Sequence, residues 1–269
     1  MLDLEPMSGL PMRLDDSGEL LFDPDIVVDE AKVRLFNALT PVALDPESCR
    51  GNEDVAYYMY NGVYQKRDAE TLSDVPMRYE LTMMPAKRMG RELVKTFGHR
   101  HCVEPESGLD YTEVCEVLLG TAHFVFQNLD LDGPRASFAL CVEAGPGQKV
   151  LAPPGFEHCT INPGPGPLLF SDVIALGVSG IYEKFKASRG AAYLEVVEDG
   201  DSEFIPNPTY EAVPPLQSFE PRDYPEVDLT RELPLYRAFV DGSWEDWEFL
   251  AHPRKFWPTF PELKPVFGL

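Results

Sequence analysis

His99, His101, Glu113 and His158 are the residues of this chain whose types and spacing could do chemistry together. His99 and His101 are two apart, so on an extended strand both side chains leave one face and can reach one ion. On a helix they would diverge by about 200°. Glu113 opens the run Glu113-Val-Cys-Glu-Val-Leu-Leu-Gly120, whose β-branched residues and closing glycine predict a strand ending in a turn. His158 follows the turn Pro153-Pro154-Gly155 by three residues. Three neutral nitrogens and one hard oxygen suit Fe(II), Mn(II), Zn(II) or Ni(II), with a coordination position left open for substrate.

Each piece alone has an ordinary reading. A His-x-His pair is commonly two surface histidines, and a single glutamate on a strand is commonly solvated. The joint argument is economy: the chain has five histidines, and three fall in two glycine-bracketed turn-strand contexts. Of the others, His123 alternates with Phe124 and Phe126 and should face away from them, and His252 before Pro253 should lie at the surface.

These spacings resemble the two motifs of the cupin superfamily. The second motif runs without adjustment from Gly147 through Pro153, Gly155 and His158 to Asn162. The first runs from His99 and His101 through Glu113 to Gly120, with eleven residues, Cys102 to Thr112, inserted before the glutamate. That insertion contains Pro105, Ser107 and Gly108 and is expected to form a longer loop. Within cupins, Lys95-Thr-Phe-Gly-His-Arg-His101, Thr112-Glu-Val-Cys-Glu-Val-Leu-Leu-Gly120 and Ala152-Pro-Pro-Gly-Phe-Glu-His-Cys-Thr-Ile-Asn162 resemble the cupin-type glucose-6-phosphate isomerases of archaea and some bacteria. The likeness runs from about Val55 to about Tyr182, with a looser echo in the tail.

The resemblance implies a metal-dependent aldose–ketose isomerase interconverting glucose 6-phosphate and fructose 6-phosphate in glycolysis and gluconeogenesis. It implies one divalent ion per subunit, Fe2+ first, with Mn2+, Zn2+ or Ni2+ as substitutes, held by His99, His101, Glu113 and His158. Glu113 becomes both ligand and acid/base. Tyr57, Thr82, Thr96, Gly98 and Tyr182 become contacts to sugar or phosphate. A phosphosugar is the expected partner and a homodimer the expected assembly. Three departures bear on substrate orientation: Cys115 stands at a tyrosine position, and Ile174 and Gly180 stand where some relatives carry a tyrosine and a histidine. An isomerase of another sugar phosphate, a metal-dependent cupin dioxygenase and a non-catalytic sugar-binding cupin are the alternatives.

The elements that must position these residues follow from pattern and composition. The 269 residues include 26 prolines, which favour strands and loops over long helices. Strands are predicted over 55–64, 78–84, 92–97, 114–119, 122–127, 137–142, 149–151, 159–162, 168–175 and 193–197, and a short helix over 183–188. Such density predicts an all-β cupin barrel, a jelly roll or double-stranded β-helix, with a few short helices and terminal extensions. Residues 1–45 read as an N-terminal arm whose one helix, over 29–39, places Val33, Leu35, Phe36 and Leu39 on one side. Residues 46–200 read as the barrel with the metal site. Residues 201–269 read as a Pro- and aromatic-rich extension wrapping the barrel or a dimer partner as extended chain, with Trp244, Trp247, Phe249, Phe256 and Trp257 as packing anchors.

A net charge of −22 argues against nucleic acid as a partner. Against it, Lys87, Arg88, Arg91, Lys95 and Arg100 face only the acid Glu92 within one stretch, so this stretch is a candidate phosphate-facing cluster, or else a charged sheet edge. There is no apolar run of membrane-spanning length and no basic leader, so no membrane partner and a cytoplasmic setting are expected. Five scattered cysteines, Cys49, Cys102, Cys115, Cys141 and Cys159, fit reduced thiols.

Overall fold

Strands buried on both faces must sit between two layers, and two segments here are of that kind: Leu168–Ala175 is buried throughout, and Glu113–Leu119 up to its last residue. The computed structural model describes residues 1–129 and 135–269. Its barrel strands are β1 (Ile26–Leu35), β2 (Val55–Gln65), β3 (Met77–Met84), β4 (Glu113–Leu119), β5 (Ala122–Leu129), β6 (Ala136–Ala144), β7 (Lys149–Ala152), β8 (Glu157–Ile161) and β9 (Leu168–Ala175).

Six of them form a sheet in the order β7-β4-β9-β3-β2-β1, antiparallel throughout. The second sheet runs β8-β5-β6, with Gln217–Phe219 added in parallel beside β6. The paired strands β4 and β9 of the first sheet continue, across a turn at each end, as the paired strands β5 and β8 of the second. This double strand wound on itself is the expected cupin barrel. The crossing is tight at Gly120, whose φ is +83° and where a Cβ would meet the Pro167 carbonyl oxygen at 2.8 Å. Glycine is required there by both backbone angle and space. Among the described residues no helix is long and apolar enough to cross a membrane.

Most predicted strands appear within a residue or two of their expected ends. Glu92–Leu93 is shorter than predicted, and the rest of 92–97 joins the barrel through a single pairing of Lys95 with Ile161. The short helix is Glu183–Ala187.

Two expectations are overturned. The helix predicted over 29–39 is instead the strand β1, followed by one helical turn at Phe36–Leu39. The apolar spacing of Val33, Phe36 and Leu39 suggests a helical face, yet Val33 is 52% exposed. What fixes the segment is its long ladder with β2, from Ile26 opposite Gln65 to Leu35 opposite Val55. A ladder of that length outweighs the small per-residue preference for helix.

The tail is extended only to about Leu233. Beyond it lie short helices at Leu235–Asp241, Glu248–Ala251 and Phe256–Thr259, with single turns between them. Prolines 253 and 261 open such turns, at positions where no backbone N–H is needed. The first two of these helices pack on β9, and Phe256–Thr259 packs on the second. Trp247, Phe249 and Phe256 are buried, with Trp244 and Trp257 packed against them.

Candidate metal centre

The four candidate ligands reach one point because backbone pairing brings their segments together. His99 and His158 exchange both backbone hydrogen bonds, at 3.0 and 2.9 Å, so one ligand from each of two distant segments lies across a single rung. His101 lies on the two-residue strand Arg100–His101, paired with Gly180–Ile181. Glu113 begins β4, opposite Ile174 of β9.

The inserted loop 102–112 folds back on itself. The Tyr111 N–H donates to the Cys102 carbonyl at 3.1 Å, and the Glu104 carboxylate accepts from the backbone of Glu106 and Ser107 at 2.9 and 2.7 Å. Asp110, in this loop, pairs with Arg100 and accepts the Gly155 N–H at 3.1 Å. One carboxylate thus joins the His101 segment to the turn that precedes His158.

The imidazole centroids of His99, His101 and His158 are separated by 5.1, 4.6 and 5.0 Å. One donor atom from each histidine and from Glu113 lies within 4.8 Å of the others. Donors about 2.1 Å from a common ion stand about 3 Å apart when adjacent and about 4.2 Å when opposite, so the set fits one cation with little closure.

The details of protonation agree. His101 Nδ1 lies 3.0 Å from the Tyr111 carbonyl, which fixes that nitrogen as the donor and leaves Nε2 free toward the centre. His99 is held well below the ordinary histidine pKa, by burial first and by the neighbouring imidazoles, so it offers a neutral lone pair. Both ring nitrogens of His158 are buried without a hydrogen-bond partner. Its Nε2 is 3.3 Å from Glu113 Oε2, and His101 Nε2 is 3.1 Å from the same oxygen. Burial pushes the Glu113 pKa up, but the imidazoles of His101 and His158 beside it overcome that and hold the carboxyl well below its usual range. A buried imidazole with no partner beside an ionised carboxylate is a donor set that a divalent cation would complete.

The cluster forms one wall of a cavity of about 330 Å³. Tyr57, Thr82, Thr96, Gly98 and Tyr182 all line it. The Tyr57 hydroxyl accepts the Phe97 N–H at 3.1 Å, and Thr96 Oγ1 accepts the Thr160 N–H at 2.9 Å, leaving both hydroxyl hydrogens free to donate. Gly98 has φ +80°, and a Cβ there would lie 2.3 Å from the Phe185 ring. Of the departures, Ile174 and Gly180 also line the cavity, and the Cys115 thiol donates to Glu113 Oε1 at 3.0 Å.

The cluster of basic residues over 87–100 does not face the cavity. Lys95 is buried against Glu92, Arg100 pairs with Asp110, Arg91 with Glu198, and Lys87 lies 3.5 Å from Asp54. The cations that line the cavity are Lys32 and Arg34 on β1 and Arg78 on β3, together with the carboxylates Glu80 and Asp172. Sequence reading missed Lys32 and Arg34 because a helix assigned to 29–39 hides the strand alternation that aims positions 32 and 34 to one face. His123 faces outward between Glu143 and Glu195, His252 is exposed, and all five cysteines are free.

Comparison with known proteins bears on the same region. A family model described as "Glucose-6-phosphate isomerase (GPI)" matches residues 33–211. The glucose-6-phosphate isomerase of Thermococcus onnurineus is 24% identical over 160 residues, covering 60% of this chain and 75% of that protein. The one from Thermococcus litoralis is 25% identical over 193 residues, covering 71% and 94%. Among solved structures, a cupin 2 conserved barrel domain protein from Rhodopseudomonas palustris is 13% identical with a TM-score of 0.29, covering 46% of this chain and 63% of that one. Oxalate decarboxylase from Bacillus subtilis gives 13% and 0.32, covering 47% and 28%. The family match takes in all four candidate ligands and every barrel strand except most of β1, and on it this chain belongs to the glucose-6-phosphate isomerase family.

Proposed function

We propose that the protein is a metal-dependent isomerase that interconverts glucose 6-phosphate and fructose 6-phosphate through an enediol or enediolate. The observation that carries this reading is the convergence of three imidazoles and Glu113 on the wall of a cavity large enough for a sugar phosphate, in a chain of this family. His99, His101, His158 and Glu113 would hold the ion, whose chemistry is to polarise a carbonyl and neutralise charge on its oxygen.

The reaction moves a carbonyl between C1 and C2, and in the enediol route, as distinct from a hydride shift between the two carbons, a proton leaves the carbon beside the carbonyl and returns to its neighbour. Glu113 is assigned that transfer. Its two oxygens are in different settings: Oε2 faces the imidazoles, and Oε1 is turned toward the Cys115 thiol. An oxygen outside the imidazole cluster lets one carboxylate serve as ligand and proton carrier. Tyr57, Thr82, Thr96, Gly98 and Tyr182 are assigned to binding sugar hydroxyls and phosphate.

A second reading, an isomerase of another sugar phosphate, is favoured by Cys115, Ile174 and Gly180, where smaller or apolar groups border the site. One experiment addresses both. Protein loaded in turn with iron, manganese, zinc and nickel is incubated with fructose 6-phosphate and with a panel of other aldose and ketose phosphates. Formation of glucose 6-phosphate that chelator abolishes supports the first reading. Turnover confined to a different phosphosugar supports the second, and no turnover with any metal or sugar ends both.

A further inference from the structure

The cavity beside the metal centre holds one cation with no carboxylate to answer it. Of the three basic side chains in the wall, Lys32 lies 2.6 Å from Glu30 and Arg78 pairs with Glu80. Arg34 has no ion-pair partner among the described residues, and its Nε is buried without any hydrogen-bond partner. A guanidinium keeps its charge at every ordinary pH, so burying one of its N–H groups unpaired carries a cost that an anionic ligand would remove.

Its surroundings describe the ligand. Arg34 stands on β1 opposite Tyr57 of β2, with its guanidinium carbon 5.8 Å from the Phe97 ring centroid. From there a row of rings leads to the metal centre: Phe97 to Tyr182 at 5.2 Å, and Tyr182 to His99 at 5.7 Å. The cavity wall therefore carries a guanidinium with an unpaired Nε–H as well as the candidate ligands. Tyr57 and Thr96, with hydroxyl hydrogens free to donate, lie in the same wall. A doubly charged tetrahedral oxyanion meets these groups well, because a guanidinium donates two parallel bonds to it and hydroxyls take the remaining oxygens.

We propose that Arg34 is the charged anchor for the substrate's phosphate group and so determines selection of phosphorylated over free sugars. This rests on the isomerase reading for the identity of the substrate, but not for the presence of an oxyanion site.

The test separates the two. Binding of inorganic phosphate to metal-free wild type, Arg34→Gln and Arg34→Lys is measured by calorimetry, with thermal unfolding as the check that each variant folds. Wild type is expected to bind phosphate, Arg34→Gln to bind it about ten- to a hundredfold more weakly, and Arg34→Lys to fall between. In turnover, Arg34→Gln should raise KM for fructose 6-phosphate by a similar factor, with kcat changing much less, because the contact lies away from the reacting carbons. Loss of phosphate binding in Arg34→Gln, in a wild type that shows no isomerase activity, upholds the anchor and overturns only the isomerase reading. Equal phosphate binding by wild type and Arg34→Gln, or none by wild type at millimolar phosphate, overturns the anchor whatever the activity.

Discussion

Glu113 has two tasks in the proposed reaction, and they separate on substitution. Glu113→Gln keeps a carbonyl oxygen for the cation but cannot take up a proton, so turnover should fall at least about a hundredfold while part of the metal affinity survives. Full activity in that variant would refute the assignment. Metal binding has its own measure: an ion that binds the native state at about a hundred times its Kd adds about 2.7 kcal/mol to stability. Excess Mn2+ should therefore raise the melting temperature of wild type, and His158→Ala should show no such rise. At this scale much was legible in the sequence, because ligand chemistry admits few residue types and a strand fixes their spacing. Arg34, Lys32, Glu80 and Asp172 were not, since nothing local distinguishes a charged strand residue that faces a cavity from one that faces solvent.

Elements position these side chains through a few tight contacts. Gly98 immediately precedes the first ligand, with positive φ and the Phe185 ring packed against its α-carbon. Gly98→Ala should cost about 1–3 kcal/mol through backbone strain and overpacking, and should weaken metal binding by displacing His99. An unchanged melting temperature and unchanged metal titration would show that the turn tolerates a side chain. The strands β4 and β8 were readable to within two residues because their pattern is local, β-branched runs between glycines and prolines, whereas the two-residue strand Arg100–His101 was too short to leave one. β1 was not readable, since its identity depends on a partner strand that begins about twenty residues later in the chain.

Across the whole molecule, one buried ion pair joins the barrel to its tail. Lys149 on β7 lies 2.7 Å from Glu116 on β4 and donates to the carbonyls of Gly147, Thr230 and Leu233 at 2.9, 2.5 and 2.6 Å. Glu116 in turn accepts the Leu235 N–H at 2.8 Å. Lys149→Met should destabilise the protein by about 3–5 kcal/mol, read by denaturant unfolding, because it leaves a buried carboxylate unanswered. Burial, only partly offset by Lys149, raises the Glu116 pKa to about 7. A carboxyl raised on folding favours the folded state fully below its ordinary pKa, and this contribution is lost as pH rises through about 7. Wild type should accordingly lose stability relative to Glu116→Gln between pH 5 and pH 8. A constant difference over that range would place the titration elsewhere. The aromatic anchors of the tail were visible in the sequence, but its helical turns were too short to leave a periodic signature. The rung between His99 and His158 bears on how the proposed site would be filled: two backbone hydrogen bonds already join the segments, so the chain itself shapes the vessel. Unlike a zinc finger, a barrel with the proposed site would be emptied and refilled without refolding, and the ion it takes up would be set by the geometry of the site together with the divalent ions on offer.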